Sequence, residues 1–177
     1  LQKRKALSDQ EFDQLNKHLL KEFSKLDFSG METIHVFLPI ENKREPDTFL
    51  LINWLKDTYP QTRIVVPKAD FNTFIMTHHE YMGAEDLERN LFNILEPMQA
   101  KQYTGAIDIV LVPLLGFDLS GNRVGYGKGF YDRFLQELPG AKKIGISLFP
   151  PIDKIEDTDG HDVLLDGCIT PEKIYTF

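Results

Sequence analysis

The chain has 177 residues, 42% apolar and 27% charged, an ordinary globular balance that excludes a disordered or fibrous protein. Its net charge of −7 argues against a nucleic acid held through its phosphates, and no run of about 18 apolar residues is present to span a membrane. A single cysteine, Cys168, excludes an internal disulfide and a cysteine-based zinc site, and with no apolar leader the expected location is cytoplasmic.

The first element is a helix. Ser8-Asp9-Gln10-Glu11 reads as a capping box, in which Ser8 and Glu11 each satisfy an orphan amide. Phe12, Leu15, Leu19, Phe23 and Leu26 follow at spacings of 3, 4, 4 and 3, one apolar stripe that Phe28-Ser29-Gly30 closes. Residues 34–38 form a short buried strand ended by Pro39. After a polar loop, Asp47 or Thr48 caps a second helix that runs to about Tyr59. Residues 63–67 make a second strand, and 72–77 are a candidate for another. Between 81 and 101 the pattern is ambiguous: residues 85–95 have helical composition, but Glu96-Pro97 breaks it. Residues 107–113 are the strongest strand, nearly continuous hydrophobe as in a central parallel strand covered on both faces. A helix over 129–138 opens from a glycine-rich loop, followed by strands at 143–148 and 163–165. This alternation predicts an α/β fold: a single-domain, three-layer sandwich over residues 1–177 with a mostly parallel, Rossmann-like sheet.

The chemistry concentrates after the strongest strand. Gly121, Gly125, Gly127 and Gly129 fall within nine residues, between that strand and a helix. Strand, glycine loop and helix N-terminus together point backbone amides at an anion. Arg123 and Lys128 add positive charge there, against the sign of the whole chain. The loop is neither a P-loop, since Gly129 follows Lys128, nor a dinucleotide fingerprint, since Gly125, Gly127 and Gly129 are spaced by two. By itself it is also compatible with a plain turn between two elements. Asp132 lies in the first turn of the helix, where a carboxylate complements the helix dipole by up to about 1 kcal/mol. His78 and His79 are adjacent, face opposite ways on a strand and make a poor metal pair. Cys168 reads as a packed small hydrophobe.

As a whole, the segment from Pro113 to Asp132 resembles the signature of the 5-formyltetrahydrofolate cyclo-ligase family, V-P-G-L-A-F-D-x-x-G-x-R-L-G-Y-G-x-G-Y-Y-D. Eleven positions match: Pro113, Phe117, Asp118, Gly121, Arg123, Gly125, Tyr126, Gly127, Gly129, Tyr131 and Asp132. Val124, Phe130 and Leu114-Leu115-Gly116 depart mildly. Glu45-Pro46-Asp47-Thr48, Val66-Pro67-Lys68, the stretch ending in Glu96-Pro97, and His161-Asp162 with Asp166 resemble further family segments. The loop before Glu45 is longer than usual, leaving Ile40 or Leu38 as the neighbouring substrate contact.

The resemblance implies an enzyme that closes 5-formyltetrahydrofolate to 5,10-methenyltetrahydrofolate with ATP and Mg²⁺, releasing ADP and phosphate. The γ-phosphoryl group would pass to the formyl oxygen, giving an iminium phosphate that N10 attacks. Arg123, Lys128 and Tyr131 are the implied catalytic residues. Arg4, Arg123, Gly125, Tyr126, Gly127, Lys128, Gly129, Phe130 and Tyr131 would contact ATP. Ile40, Glu45, Phe92, Tyr126 and Phe130 would contact the folate, with or without a polyglutamate tail, and Asp132 and Asp162 would hold the metal. The family's N-terminal Lys-x-x-x-Arg pair aligns upstream of Leu1, which makes Lys3, Arg4 and Lys5 a flanking basic turn. A monomer is expected, with no nucleic-acid or membrane partner. The alternatives are a non-catalytic nucleotide- or phosphate-binding module of the same fold, or a phosphosugar isomerase or acyl-CoA transferase relative that needs no ATP.

Overall fold

The computed structural model describes residues 1–98 and 101–177. A short helix α1 (Gln2–Lys5) precedes α2 (Asp9–Phe23), which begins with the expected capping box: the Ser8 hydroxyl accepts from the Glu11 amide while Glu11 accepts from the Ser8 amide. Strand β1 (Thr33–His35) leads through a 3₁₀ turn (Glu41–Lys43) to α3 (Thr48–Thr58), capped by Asp47. Then come β2 (Arg63–Asp70), β3 (Ile75–Glu80), a 3₁₀ turn (Ala84–Asp86), and the small hairpin β4 (Leu87–Arg89) and β5 (Leu95–Pro97). The last third holds β6 (Ile109–Pro113), the pair β7 (Gly116–Phe117) and β8 (Arg123–Val124), α4 (Phe130–Gln136), β9 (Lys142–Ile146), β10 (Gly167–Ile169) and β11 (Ile174–Thr176).

Among the described residues, seven strands form one sheet in the order β11-β10-β9-β6-β1-β2-β3. The inner five run parallel and the two edge strands antiparallel. From β1 the chain winds one way to β2 and then the other way through β6, β9 and β10. The direction reverses between β1 and β6, and in such sheets ligands bind beyond the carboxyl ends of the strands at that point.

Both faces are covered. In β6, Ile109 and Leu111 join α2 and α3 (Phe23, Ile52), whereas Val110 and Val112 join α4 (Phe134, Leu135), the two-residue period of a strand buried on both sides. Cys168 is fully buried on the α4 face opposite Gly145, where a Cβ would meet its sulfur at 3.1 Å. Burial pushes its thiol well above the ordinary range.

Three expectations are corrected. Residues 85–95 are not helical, because the Asn90 side chain accepts from the amides of Phe92 (2.9 Å) and Ile94 (3.1 Å) and nucleates the β4–β5 turn, with Asn93 left-handed. Gln99 and Ala100, at the end of that ambiguous stretch, lie outside the described residues. The strand expected over 72–77 begins only at Ile75, since Asp70 accepts from Asn72 (2.8 Å) and Thr73 (3.4 Å) and holds a turn. Residues 163–165 are not a strand: the Leu165 amide is taken by Gly121, and the strands lie further on, at β10 and β11.

His35 and His78 pack on the α4 side of the sheet. Their rings lie 5.0 Å apart, and His78 stacks on Phe134 at 3.8 Å. Both nitrogens of His35 and Nδ1 of His78 are buried without a hydrogen-bond partner among the described residues. Burial, reinforced by His78, holds His35 well below its usual range, and burial with nearby His79 lowers His78 to about 4. An unfolded chain takes up these protons near pH 6.5. Their contribution to stability is therefore complete above about pH 6.5 and declines toward pH 4, by up to about 1.4 kcal/mol per pH unit for each histidine. Urea unfolding of wild type and a His35→Leu/His78→Leu variant across that window checks this, the variant showing a flatter profile.

Candidate active site

The reversal between β1 and β6 opens a cavity of about 520 Å³, within the range of small-molecule sites. One wall comes from the chain leaving β1 and its 3₁₀ turn, the opposite wall from the loop between β8 and α4. The β2–β3 and β4–β5 hairpins and the acidic segment around Asp157 and Asp162 complete it. Of the residues singled out in the sequence, Ile40, Glu45, Arg123, residues 125–132 and Asp162 all line this space.

Gly127 (φ 72°) and Gly129 (φ 65°) occupy the left-handed region, which is why side-chain-bearing residues do not stand there. Gly129 is the N-cap of α4, and among the described residues no side chain caps that helix. Between Gly125 and Gly127, Tyr126 turns toward the opposite wall and donates to Glu45 Oε1 at 2.6 Å. The other oxygen of Glu45 accepts from the Ile40 amide at 2.7 Å. Glu45 is only 3% exposed, and burial raises its carboxyl above the usual range, opposed by the Tyr126 and Ile40 hydrogen bonds. Arg4 is also buried; its Nη2 donates to the Tyr126 hydroxyl at 2.5 Å and its Nη1 to the Leu114 carbonyl at 3.5 Å. Arg4 reaches the site through Tyr126 rather than as part of the cavity wall. Lys43 lies with Nζ 3.8 Å from the Tyr126 ring centroid.

Arg123 bridges Asp132 Oδ1 and the Val163 carbonyl, tying α4 to the C-terminal segment. Asp162 accepts from the Asp159 amide through Oδ2 at 2.8 Å. Asp132 uses only Oδ1 in its contacts with Arg123 and the Val163 amide. One oxygen of each carboxylate is outside these contacts. The Tyr131 hydroxyl is buried without a partner among the described residues, and burial, with the Glu45 charge, holds it far above the usual phenol range. Lys128 lies near the Phe74 ring, 5.9 Å from Nζ to centroid. Phe92 is 59% exposed and packs on Phe71 at 4.5 Å between ring centroids; it meets the cavity through Phe71 and is not itself among the lining residues.

The sequence profile of the 5-formyltetrahydrofolate cyclo-ligase family matches residues 1–171. The chain belongs to that family. A 5-formyltetrahydrofolate cyclo-ligase of Mycoplasma pneumoniae is 35% identical over 176 residues, covering 97% of this chain and 94% of the relative. The enzyme of that name from Mus musculus is 29% identical over 147 residues, 76% of this chain and 69% of its own. A solved 5,10-methenyltetrahydrofolate synthetase from Mycoplasma pneumoniae superposes with a TM-score of 0.73 at 30% identity, covering 96% and 93% of the two chains. A synthetase of the same name from Aquifex aeolicus, 24% identical with a TM-score of 0.77 and covering 99% and 87%, shares the fold.

Within the cyclo-ligase framework, sequence reasoning missed three features. The Tyr126–Glu45 bond joins residues 81 positions apart and leaves no local signal. Lys43 sits in the lengthened loop, where no motif points to it. Arg133 donates to the Phe74 carbonyl (2.9 and 3.1 Å) and the Lys128 carbonyl (2.8 Å), latching the β2–β3 turn to the glycine loop. Only its place beside Asp132 hinted at a role. Tyr126→Phe removes the donor to a buried carboxylate oxygen, so it should cost about 1–3 kcal/mol in urea-unfolding stability at neutral pH.

Proposed function

We propose that the protein catalyses the ATP- and Mg²⁺-dependent closure of 5-formyltetrahydrofolate to 5,10-methenyltetrahydrofolate, releasing ADP and phosphate, as one domain over residues 1–177 acting as a monomer. The observation that carries the reading is the meeting of the glycine loop, its cations and two carboxylates in one cavity at the sheet's reversal, in a chain of the cyclo-ligase family.

A formamide oxygen is a poor leaving group, which is why a phosphoryl group is needed. The bond from the γ-phosphorus to the β-bridging oxygen breaks as one to the formyl oxygen forms, and the N5 lone pair makes the iminium. N10 then attacks the formyl carbon, phosphate departs with its C–O bond, and the N10 proton goes to water. Such transfer demands positioning and charge neutralisation more than covalent help from the protein.

The loop amides of residues 125–129, with Lys128 and Arg123, bind and orient the phosphates. In this reading the Arg123–Asp132 pair is the resting partner of both groups, and phosphate oxygens compete for the guanidinium. Arg4 acts through the hydroxyl of Tyr126. The orphaned Tyr131 hydroxyl gains an acceptor when a ligand oxygen enters, relieving an unsatisfied buried donor. Ile40, Glu45, Tyr126, Phe130 and Phe92 form the folate side, with Glu45 and Tyr126 fixing the polar edge and the phenylalanines excluding water.

Asp132 and Asp162 fit Mg²⁺, since each keeps one carboxylate oxygen outside its present contacts, and Mg²⁺ is commonly held by one or two carboxylates plus phosphate oxygens and waters. When bound, the ion neutralises charge on the phosphates.

The test is a near-ultraviolet absorbance assay with 5-formyltetrahydrofolate, ATP and Mg²⁺. Methenyl absorbance should grow only with ATP present; a flat trace from folded protein that still binds nucleotide would favour a binding module instead. Asp132→Ala should lower turnover by at least about 100-fold, since metal-assisted charge stabilisation is worth several kcal/mol, with an unchanged circular-dichroism spectrum. Undiminished activity in that variant would overturn the metal assignment.

A further inference from the structure

The 3₁₀ turn Glu41–Lys43 carries charged residues that the glycine-loop signature does not include. Two of the charges at this turn are spent on clamps. Glu41 accepts from Arg89 of β4 at 2.7 Å, and Arg44 donates to Asp9 at 3.0 Å and to the Ser8 carbonyl at 3.1 Å while lying over the Phe12 ring. Arg44 is held in the left-handed region (φ 48°), a conformation that a side-chain-bearing residue keeps only where its surroundings fix it. The turn is thus fastened on one side to the start of α2 and on the other to the β4–β5 hairpin.

Between the clamps, Lys43 takes no part in the ion pairs found among the described residues. It lines the cavity, and its ammonium lies 3.8 Å from the ring centroid of Tyr126, the residue at the centre of the glycine loop. A cation over an aromatic face near a buried carboxylate is attracted but keeps its hydrogen-bonding protons, which an ammonium offers in three directions. The opposite wall carries the amides around Tyr126 together with Lys128, and both favour an anion.

We propose that Lys43 is a further phosphate-contacting residue, supplied by the lengthened loop, which meets from the opposite wall a nucleotide phosphate held on the glycine loop. The inference rests on the nucleotide-dependent reading above. A carboxylate of the folate tail offers similar chemistry. Phosphate is favoured because the lysine lies over Tyr126, between glycines of the loop whose amides and positive charges suit an anion.

The test compares wild type, Lys43→Gln and Lys43→Arg in steady-state kinetics, varying ATP and 5-formyltetrahydrofolate separately, with thermal unfolding as a control. Lys43→Gln should raise KM for ATP about tenfold or more, the worth of one charge-assisted hydrogen bond, with KM for the folate and the unfolding temperature little changed. Lys43→Arg should recover most of the loss. An unchanged KM for ATP overturns the proposal, as does a rise confined to the folate, which would assign the lysine to a carboxylate. If wild type itself gives no methenyl product, the reaction reading fails on its own. Calorimetric titration with ADP then judges the lysine: weaker binding by Lys43→Gln supports it, while equal affinity, or no binding by wild type, overturns it.

Discussion

The cavity exists because the chain changes direction between β1 and β6. Adjacent parallel strands there send their connections to opposite faces of the sheet, so no crossover covers the gap beyond their carboxyl ends. Residues leaving β1 become one wall, and residues following β6 and the β7–β8 pair become the other. A hydrogen bond between Glu45 and Tyr126 spans the gap and sets the relative position of the walls. The glycine loop on its own would be an unanchored turn. With Tyr126 fixed at its centre by Glu45 and Arg4, its backbone is held where a ligand can meet it.

The electrostatics of this region run against those of the chain as a whole. The protein carries a net charge of −7, yet Arg4, Lys43, Arg123 and Lys128 all gather around the loop. Buried charges are tolerable only when paired or hydrogen-bonded. Glu45 has a phenol and an amide as partners, and Arg123 has Asp132 and a carbonyl. Among the described residues, Lys43 has no ion-pair partner and the Tyr131 hydroxyl no hydrogen-bond partner. That asymmetry separates groups that build the site from groups available to an incoming ligand.

Elements stabilised by their own sequence neighbours are legible in the amino-acid order alone. The Ser8–Glu11 box, the Asp47 cap and the alternating burial of β6 rest on local spacing, and each appears where the pattern puts it. The turns at Asp70 and Asn90 are not legible in this way, because one side chain bonding to nearby amides outweighs the composition of the surrounding residues. The end strands β10 and β11 escape for a different reason. They are three residues each, and their pairing with β9 and with each other, not their own pattern, makes them strands. At the site, the glycine loop is visible because its residues are contiguous. Glu45 is suggested only through family resemblance, and nothing in the linear order joins it to Tyr126.

The position of Cys168 has a practical consequence. A thiol reacts as its thiolate and needs contact with the reagent. Cys168 is fully buried against Gly145, and desolvation keeps it protonated. Maleimide and iodoacetamide probes would therefore pass over the only cysteine in the folded chain. A cysteine introduced at the rim of the cavity would be the single site of labelling, and a fluorophore or spin label there could report ligand entry without first replacing a residue in the core.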